Sequence, residues 1–387
     1  MGYDFNFAPD RRGTGSLKYD FALARQRPED VLPLWVADMD FPAAPEILHA
    51  MQTALSHGVF GYSEAMPGYY AALARWFEEH FGYAIDPGWV IKTPGVVVAL
   101  AIAVKAFTKP GDGVLIQPPV YYPFRMVIED NSRQVFENNL ILKNGVYEID
   151  FDDFERKIQR VKVFLLCSPH NPVGRVWRSD ELRRMAELCL RHGVLVVSDE
   201  IHCDFAWHAH TLLPTLRRDI AQNTILCTSA AKTFNLAGLQ ASNIIIENER
   251  LRRAFVKELD AIGYSQVGVF GLAATQAAYE SGGPWLAALR EYLLGNIAYV
   301  RSFLQTQLPQ ILLIEPQGTF LLWLDFRATG MDASAQRTFL EQKAKLWLDP
   351  GRMFGAPGEG FQRINIGCPR GTLERALGRL KAAFDLL

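Results

Sequence analysis

The stretch VKVFLLCSPHNPVG, residues 161–174, decides the fold of this chain. Its first half is an almost continuous apolar run, which is typical of a strand that is covered on both faces. Its second half is a polar loop with two prolines, the kind of segment that carries functional groups. Similar apolar runs occur on both sides of it, at residues 113–117, 194–198, 224–227 and 243–246. The stretch therefore belongs to a series of buried strands.

Helix-length segments separate these strands. The segment DELRRMAELCLR (180–191) places its apolar side chains on one helical face, with Ser179 as the expected N-cap and Gly193 just after its end. Strands that alternate with crossover helices indicate an α/β fold with a mostly parallel sheet covered by helices.

The pattern changes after Pro284, where a long amphipathic segment is followed by strand-like runs at residues 319–324 and 363–366. This change favours a second, smaller α+β domain. We predict three parts: an N-terminal segment (1–50) that packs on the small domain, a large cofactor-binding domain (51–284) and a C-terminal small domain (285–387).

Composition excludes several classes of protein. The 40 basic and 42 acidic residues give a net charge of −2, so the chain has no electrostatic signature for nucleic acid or an anionic membrane. The longest apolar run, residues 96–104, is far shorter than the roughly 20 residues of a membrane helix. The 5 cysteines form no C-x-x-C pair and lie in apolar sequence, which is typical of reduced core residues. We expect a cytoplasmic protein whose partners are small molecules and a second copy of itself.

Polar or aromatic groups follow four of the predicted strands: Tyr121, Asn171, Asp199 and Lys232. Ligands in open α/β sheets bind outside the carboxyl ends of strands, so these side chains should line one pocket. Gly95 begins an apolar helix whose free amides could hold a phosphate. A lysine, a buried carboxylate, an aromatic ring and such a helix start together suit pyridoxal phosphate.

At the level of motifs, SPHNPVG, SDEIH and S-x-x-K resemble those of fold-type I, aspartate-aminotransferase-like enzymes. Longer segments are similar to the MalY/PatB group of cystathionine β-lyases, also called C-S lyases. These segments are PLWVADMDFPAAPEI (33–47), GVFGYSEAMPGYYAALARWF (58–77), KTFNLAGLQASNIII (232–246) and RINIGCPR (363–370). The resemblance covers nearly the whole chain. It implies the pyridoxal-phosphate-dependent transferase fold, with a mostly parallel seven-stranded sheet, and a homodimer with shared active sites.

The resemblance also implies a role for each matching residue. Lys232 would carry the cofactor and remove the substrate Cα proton, and Asp199 would pair with the pyridine nitrogen. Asn171 would bind the phenolic oxygen, and Tyr121 would stack on the ring. The remaining cofactor contacts would come from Gly95, Val96, Val97, Ser229, His202 and, from a second subunit, Tyr62. Substrate would be bound by Arg363, Tyr62 and Trp35.

Three positions depart from the general family. Gln240 stands where an arginine usually binds phosphate, as in the MalY/PatB group, and Ala231 replaces a common serine. His202 stands where many aminotransferases have a tyrosine. How the phosphate charge is balanced is therefore left open by the sequence.

The histidines in DEIHCDFAWHAH (199–210) could suggest a metal site, but they lack the H-E-x-x-H or paired C-x-x-C spacing of zinc sites. We therefore expect no metal.

Three functions fit these residues. The first is α,β-elimination from L-cystathionine, cysteine or related S-substituted cysteines, which gives a thiol, pyruvate and ammonia. The second is amino transfer, which needs the same groups. The third is a non-catalytic regulatory protein that binds pyridoxal phosphate, against which the intact set of Lys232, Asp199, Asn171 and Arg363 argues. The sequence leaves open whether Lys232 or a tyrosine protonates the departing sulfur.

Overall fold

A computed structural model describes residues 2–387. The strands are β1 (Leu32–Pro33), β2 (Val90–Thr93), β3 (Gly113–Ile116), β4 (Gln134–Glu137), β5 (Ile141–Lys143), β6 (Val146–Glu148), β7 (Val163–Cys167), β8 (Leu195–Asp199), β9 (Thr224–Thr228), β10 (Ser242–Ile245), β11 (Leu312–Ile314), β12 (Leu321–Asp325), β13 (Leu346–Trp347), β14 (Asp349–Pro350) and β15 (Phe361–Asn365). The α-helices are α1 (Pro45–Ser56), α2 (Pro67–Phe81), α3 (Val96–Phe107), α4 (Pro123–Glu129), α5 (Phe151–Ile158), α6 (Ser179–Arg191), α7 (Arg218–Gln222), α8 (Ala230–Thr233), α9 (Glu249–Ala261), α10 (Val269–Ser281), α11 (Gly283–Gln307), α12 (Ala333–Thr338) and α13 (Arg370–Phe384).

The largest sheet has seven strands in the order β2-β10-β9-β8-β7-β3-β4. Only β10 runs antiparallel to its neighbours. Every residue of β7, β8 and β9 is buried, as expected for mostly apolar strands that are covered on both faces. The predicted α/β fold with a mostly parallel sheet is confirmed.

The register of this sheet aligns the ends of its central strands. Cys167 pairs with Asp199, and Asp199 pairs with Cys227, so β7, β8 and β9 end at the same edge. The next strands continue this edge, since Thr228 pairs with Asn243 and Thr93 pairs with Ser242. The segments that follow β2, β7, β8 and β9 therefore meet at one place.

Helix α6 shows both the strength and the limit of the sequence pattern. Its predicted apolar face is buried, and Gly193 adopts a positive φ of 65° just after its end. The N-cap is Arg178, however, and Ser179 is the first helical residue. The Glu181 carboxylate accepts a hydrogen bond of 2.8 Å from the Arg178 backbone amide, whereas the Ser179 hydroxyl meets Thr211. Glu181 thus satisfies the amide of the N-cap residue, and the Ser179 hydroxyl takes no part in capping.

A second, four-stranded antiparallel sheet has the order β11-β12-β15-β14 and lies in the C-terminal part of the chain. The N-terminal segment meets this part directly, because β1 pairs in parallel with β13 through Leu32 and Leu346. The division of the chain at residues 50 and 284 stays a prediction.

Among residues 2–387, no helix is both long enough and apolar enough to cross a membrane. All five cysteines are free and buried, as their apolar surroundings predicted.

Candidate active site

A cavity of about 320 Å³ lies at the aligned edge of the large sheet. Most of the predicted site residues line it: Gly95, Val96, Val97, Tyr121, Asn171, Asp199, His202 and Lys232. A larger cavity of about 730 Å³ lies beside the N-terminal segment and contains none of the predicted residues. The sheet topology has therefore brought together side chains that are more than a hundred positions apart in the sequence.

Lys232 lies in the short helix α8, which directly follows β9. Its Nζ donates a hydrogen bond of 2.6 Å to the carbonyl oxygen of Ala37. Loss of water around the amine lowers the pKa of Lys232 to about 8, because burial disfavours the charged form. An amine with this pKa can both accept and release a proton near neutral pH.

Asp199 is the last residue of β8 and is buried. Its Oδ1 accepts a hydrogen bond of 3.2 Å from the backbone amide of Ile201. Burial, with a further contribution from the charge of Glu200, raises the pKa of Asp199 to about 7. Within residues 2–387 no lysine or arginine lies within ion-pair distance of this carboxylate. A protonated ring nitrogen would supply the missing positive charge, so the site fits pyridoxal phosphate at this point.

Arg363 lies in β15 and is buried; it is outside the cavity lining but is bonded to Asn171, which lines the cavity. Its Nη1 donates to Asn171 Oδ1 at 3.0 Å, and its Nη2 donates to the carbonyl oxygen of Trp35 at 2.9 Å and to the carboxylate of Asp349. Its Nε is buried without a hydrogen-bond partner among the described residues. A buried donor left unpaired is costly, so this nitrogen is available to a carboxylate ligand.

His202 and Tyr121 contribute rings to the cavity lining. Burial, together with the charges of Lys232 and Arg363, lowers the pKa of His202 to about 3, so its imidazole is neutral. Its Nδ1 is buried without a partner in the described chain. Burial raises the pKa of the Tyr121 phenol well above its usual value, and the Tyr121 backbone amide donates to the Asn171 carbonyl at 3.0 Å.

The start of α3 forms the wall at the other end of the cavity. Gly95 is its N-cap, and the first amides of a helix have no acceptor within the helix. No atom lies within 4 Å of the position that a Cβ on Gly95 would take, so the space beside this backbone is free. An amide cluster at a helix start with free space beside it suits a phosphate group.

Ser229, Trp35 and Tyr62 lie outside the cavity lining. The Ser229 hydroxyl donates to the Ala241 carbonyl at 2.6 Å and accepts from the Ala231 amide at 3.0 Å, so it caps α8. The Trp35 ring stacks on Trp347 at a centroid distance of 4.4 Å. Tyr62 is 98% exposed in the isolated chain.

Several residues that line this cavity were not predicted as site residues, among them Ala37, Gln240 and Ser242. Ser242 and Gln240 both line it, and the Ala37 carbonyl receives the Lys232 amine. Ser242 begins β10, and Gln240 takes a left-handed conformation just before it. Their position after the lysine was visible in the sequence, but the antiparallel return of β10 to the same edge was not.

The histidine-rich segment after β8 is held in place by a contact between His210 and the buried Glu200 carboxylate. His210 Nε2 lies 2.6 Å from Glu200 Oε2, and Glu200 Oε1 also accepts from the Ser198 hydroxyl. Among the described residues, no group of three or more His, Cys, Asp or Glu side chains is arranged to hold a metal ion.

Comparison with known proteins gives consistent results. The sequence model of the class I and II aminotransferases matches residues 29–380. The chain is 44% identical to cystathionine β-lyase PatB of Bacillus subtilis over 99% of the chain and 100% of that protein. It is 38% identical to protein MalY of Escherichia coli over 98% of both. The crystal structure of cystalysin from Treponema denticola, which contains a pyridoxal 5′-phosphate cofactor, matches with a TM-score of 0.97 and 38% identity over 100% of both chains.

Proposed function

Because this chain belongs to the class I and II aminotransferase family, and within it to the MalY/PatB-like group, we propose that it is a pyridoxal-phosphate-dependent carbon-sulfur β-lyase. Its substrates are L-cystathionine, cysteine or related S-substituted cysteines, and its products are a thiol, pyruvate and ammonia. One observation carries the proposal: a lysine amine with a pKa of about 8 shares a cavity with a buried carboxylate and with Asn171, which binds a buried arginine.

Pyridoxal phosphate, when bound, supplies a conjugated ring that stabilises negative charge at the substrate Cα. Lys232 would hold the cofactor and, once free, would take the proton from Cα. Asp199 would hold the proton of the ring nitrogen, because a positive charge there relieves the cost of its own burial. Asn171 would donate to the phenolic oxygen through its amide, and the amides of Val96 and Val97 would hold the phosphate.

Arg363 orients the substrate through its α-carboxylate. Its guanidinium is fixed by three acceptors, from Asn171, Trp35 and Asp349, and its Nε remains free for the ligand. A guanidinium held in this way selects one orientation of a carboxylate and so restricts the orientation of the bound substrate. The leaving thiolate has a parent thiol pKa of roughly 8.5 and needs little help from an acid.

An aminotransferase is the second candidate, because the family itself includes aminotransferases and the same residues serve both reactions. The two outcomes differ in where Lys232 returns its proton. The purified holoenzyme separates them: pyruvate formed from L-cystathionine alone supports elimination. Amino transfer that appears only after addition of a 2-oxo acid supports transamination.

The active form is a homodimer in which Tyr62 reaches the site of the other subunit. In the isolated chain the segment around Tyr62 exposes an unusual number of apolar side chains: Val59 is 70% exposed, Phe60 56% and Met66 70%. Exposed apolar clusters of this kind favour a protein interface. Buried, unpaired cysteines support a cytoplasmic location for the enzyme.

A further inference from the structure

The Lys232 amine rests on a backbone segment that is fixed from two sides. Its acceptor, the Ala37 carbonyl, belongs to residues 36–41. The Asn365 side chain donates to the carbonyls of Val36 and Asp38, both at 2.7 Å. The Asn235 side chain donates to the carbonyls of Met39 and Phe41 and accepts from the Met39 amide, each at 2.9 Å.

These two asparagines lie close in sequence to the proposed base, Lys232, and to the proposed substrate-binding residue, Arg363. Asn235 follows Lys232 by three positions, and Asn365 follows Arg363 by two. Five hydrogen bonds to backbone groups leave the segment little freedom to shift. The Ala37 carbonyl is thus a fixed acceptor for the amine.

The adjacent residue, Asp38, carries a charge that is only partly neutralised. Its Oδ2 accepts from Arg11 Nη2 at 2.7 Å, but its Oδ1 is buried without a hydrogen-bond partner among the described residues. The nearest further cation, Lys18 Nζ, is 4.0 Å from Oδ1 and is bound at 2.8 Å by Asp40. Asp38 directly follows the residue whose carbonyl accepts the Lys232 amine, so the segment that receives the amine also carries a buried carboxylate oxygen without a partner among the described residues.

We propose that the Ala37–Asp38 segment receives the free Lys232 amine, and that Asp38 is a positioning residue whose carboxylate stabilises the proton that Lys232 has taken from the substrate. The inference rests on the proposed function, in which Lys232 is the base. The carbonyl of Ala37 holds the Lys232 nitrogen in place. Arg11 partly neutralises the charge of Asp38, so that Lys232 binds the proton but can also release it.

The charges that face Lys232 agree with this role. Besides burial, the pKa of Lys232 is raised most by Asp38, is lowered by Arg363 and is raised again by Asp199. His202 is neutral at working pH, since its own pKa is lowered to about 3. Asp38 and Asp199 are therefore the carboxylates that favour the charged form of the amine.

The test measures the proton affinity of Lys232 without any catalytic reaction. The full-length protein, freed of cofactor, is labelled with 1-fluoro-2,4-dinitrobenzene over a range of pH, and labelling at Lys232 is followed by peptide mass spectrometry. Asp38→Asn should lower the apparent pKa of Lys232 by roughly half a unit to one unit, since one nearby opposite charge is lost. Arg11→Gln should raise it by a similar amount, because Asp38 then loses its hydrogen-bonded cation and keeps only Lys18, whose Nζ is 4.0 Å from Oδ1.

The matched control is Asp10→Asn, which removes an exposed carboxylate elsewhere in the N-terminal part of the chain, one that pairs with Arg12. It should leave the labelling profile unchanged. Opposite shifts in the Asp38 and Arg11 variants support the proposal, because a general loss of structure cannot move the profile in both directions. Profiles that stay unchanged or move in the same direction overturn it. If Asp38→Asn does not fold, the Arg11→Gln shift alone decides. Because no substrate is present, either result is independent of whether the enzyme is a lyase.

Discussion

Arg363 Nη1 donates a hydrogen bond of 3.0 Å to Asn171 Oδ1, and this bond joins the second sheet to the loop that follows β7 of the first. The two residues are 192 positions apart in the sequence. The group proposed to bind the substrate carboxylate is therefore fixed by the side chain proposed to bind the cofactor. Substrate and cofactor contacts are coupled through one buried hydrogen bond.

Replacement of Arg363 by lysine should weaken substrate binding. Lysine lacks the planar fork that satisfies three acceptors and a ligand at once. Loss of a charge-assisted hydrogen bond should raise KM for L-cystathionine by about tenfold to a hundredfold. Steady-state kinetics of the holoenzyme measure this. The control Arg327→Lys changes an exposed arginine that pairs with Asp325, and it should leave KM unchanged. An equal effect of both variants would contradict the assignment.

Replacement of Lys232 by alanine should abolish turnover. Loss of a general base costs at least about a hundredfold in rate, and loss of the cofactor linkage adds to this. Pyruvate release from L-cystathionine measures the effect. Lys162→Ala, which truncates an exposed lysine before β7, serves as the control and should keep full activity. Substantial turnover by the Lys232 variant would rule out its proposed role.

The burial of Asp199 predicts a pH effect on the stability of the cofactor-free chain. The pKa of Asp199 is about 7 in the folded chain, against about 4 in an unfolded one. Between these values the folded chain holds the extra proton, so a rise in pH removes stability. The Asp199→Asn variant has no titrating carboxyl group at this position, so it does not lose this stability as pH rises.

The measurement is urea unfolding of both proteins at a series of pH values. The free energy of unfolding of the Asp199→Asn variant, relative to the parent chain, should increase as pH rises from about 4 to about 7. Comparison with the parent removes the contributions of the buried histidines, which both proteins share. A difference that does not change with pH would show that Asp199 is not buried as described.

Two glycines predict opposite effects on stability. A Cβ on Gly351 would lie 2.0 Å from the Gly358 carbonyl oxygen and 2.7 Å from that of Phe361, next to β15. Gly351→Ala should therefore destabilise the protein by about 1–3 kcal/mol. Gly378 lies inside α13 with nothing within 4 Å, so Gly378→Ala should stabilise it by about 0.5–1 kcal/mol. Thermal unfolding of the two variants checks the signs, and destabilisation by both would contradict the packing.

The shared active site predicts complementation between inactive chains. Lys232→Ala and Tyr62→Ala subunits should each be nearly inactive alone. A mixed dimer would contain one site with an intact Lys232 and an intact Tyr62. Equal mixing should therefore restore about a quarter of the parent activity. If unfolding and refolding the two chains together restores nothing, Tyr62 does not serve the partner's site.

The fold could be predicted from the sequence because its central strands are apolar along most of their length. Short apolar runs of this length, separated by helix-length segments, are typical of strands in the middle of a covered sheet. The strands at 163–167, 195–199 and 224–228 fall within two residues of the predicted ranges. The N-cap of α6 was wrongly predicted to be Ser179. The local pattern does not show that the Glu181 carboxylate accepts a hydrogen bond from the backbone amide of Arg178.

The candidate site was predictable where residues follow parallel strands, as Asn171, Asp199 and Lys232 do. It was not predictable where a contact depends on segments that are distant in sequence. The Ala37 carbonyl lies 195 positions from Lys232, and no local pattern links the two. The role proposed for Asp38 likewise depends on its contacts with Arg11 and Lys18 and on the fixed backbone around it, none of which a local sequence pattern shows.

The most direct test of the central claim is the amount of pyruvate formed when the pyridoxal-phosphate-loaded protein is incubated with L-cystathionine and no 2-oxo acid. A carbon-sulfur β-lyase should release pyruvate and free thiol in equal amounts, over many turnovers per subunit. If neither product accumulates, and amino groups move only after a 2-oxo acid is added, the protein is an aminotransferase and the proposed elimination is wrong.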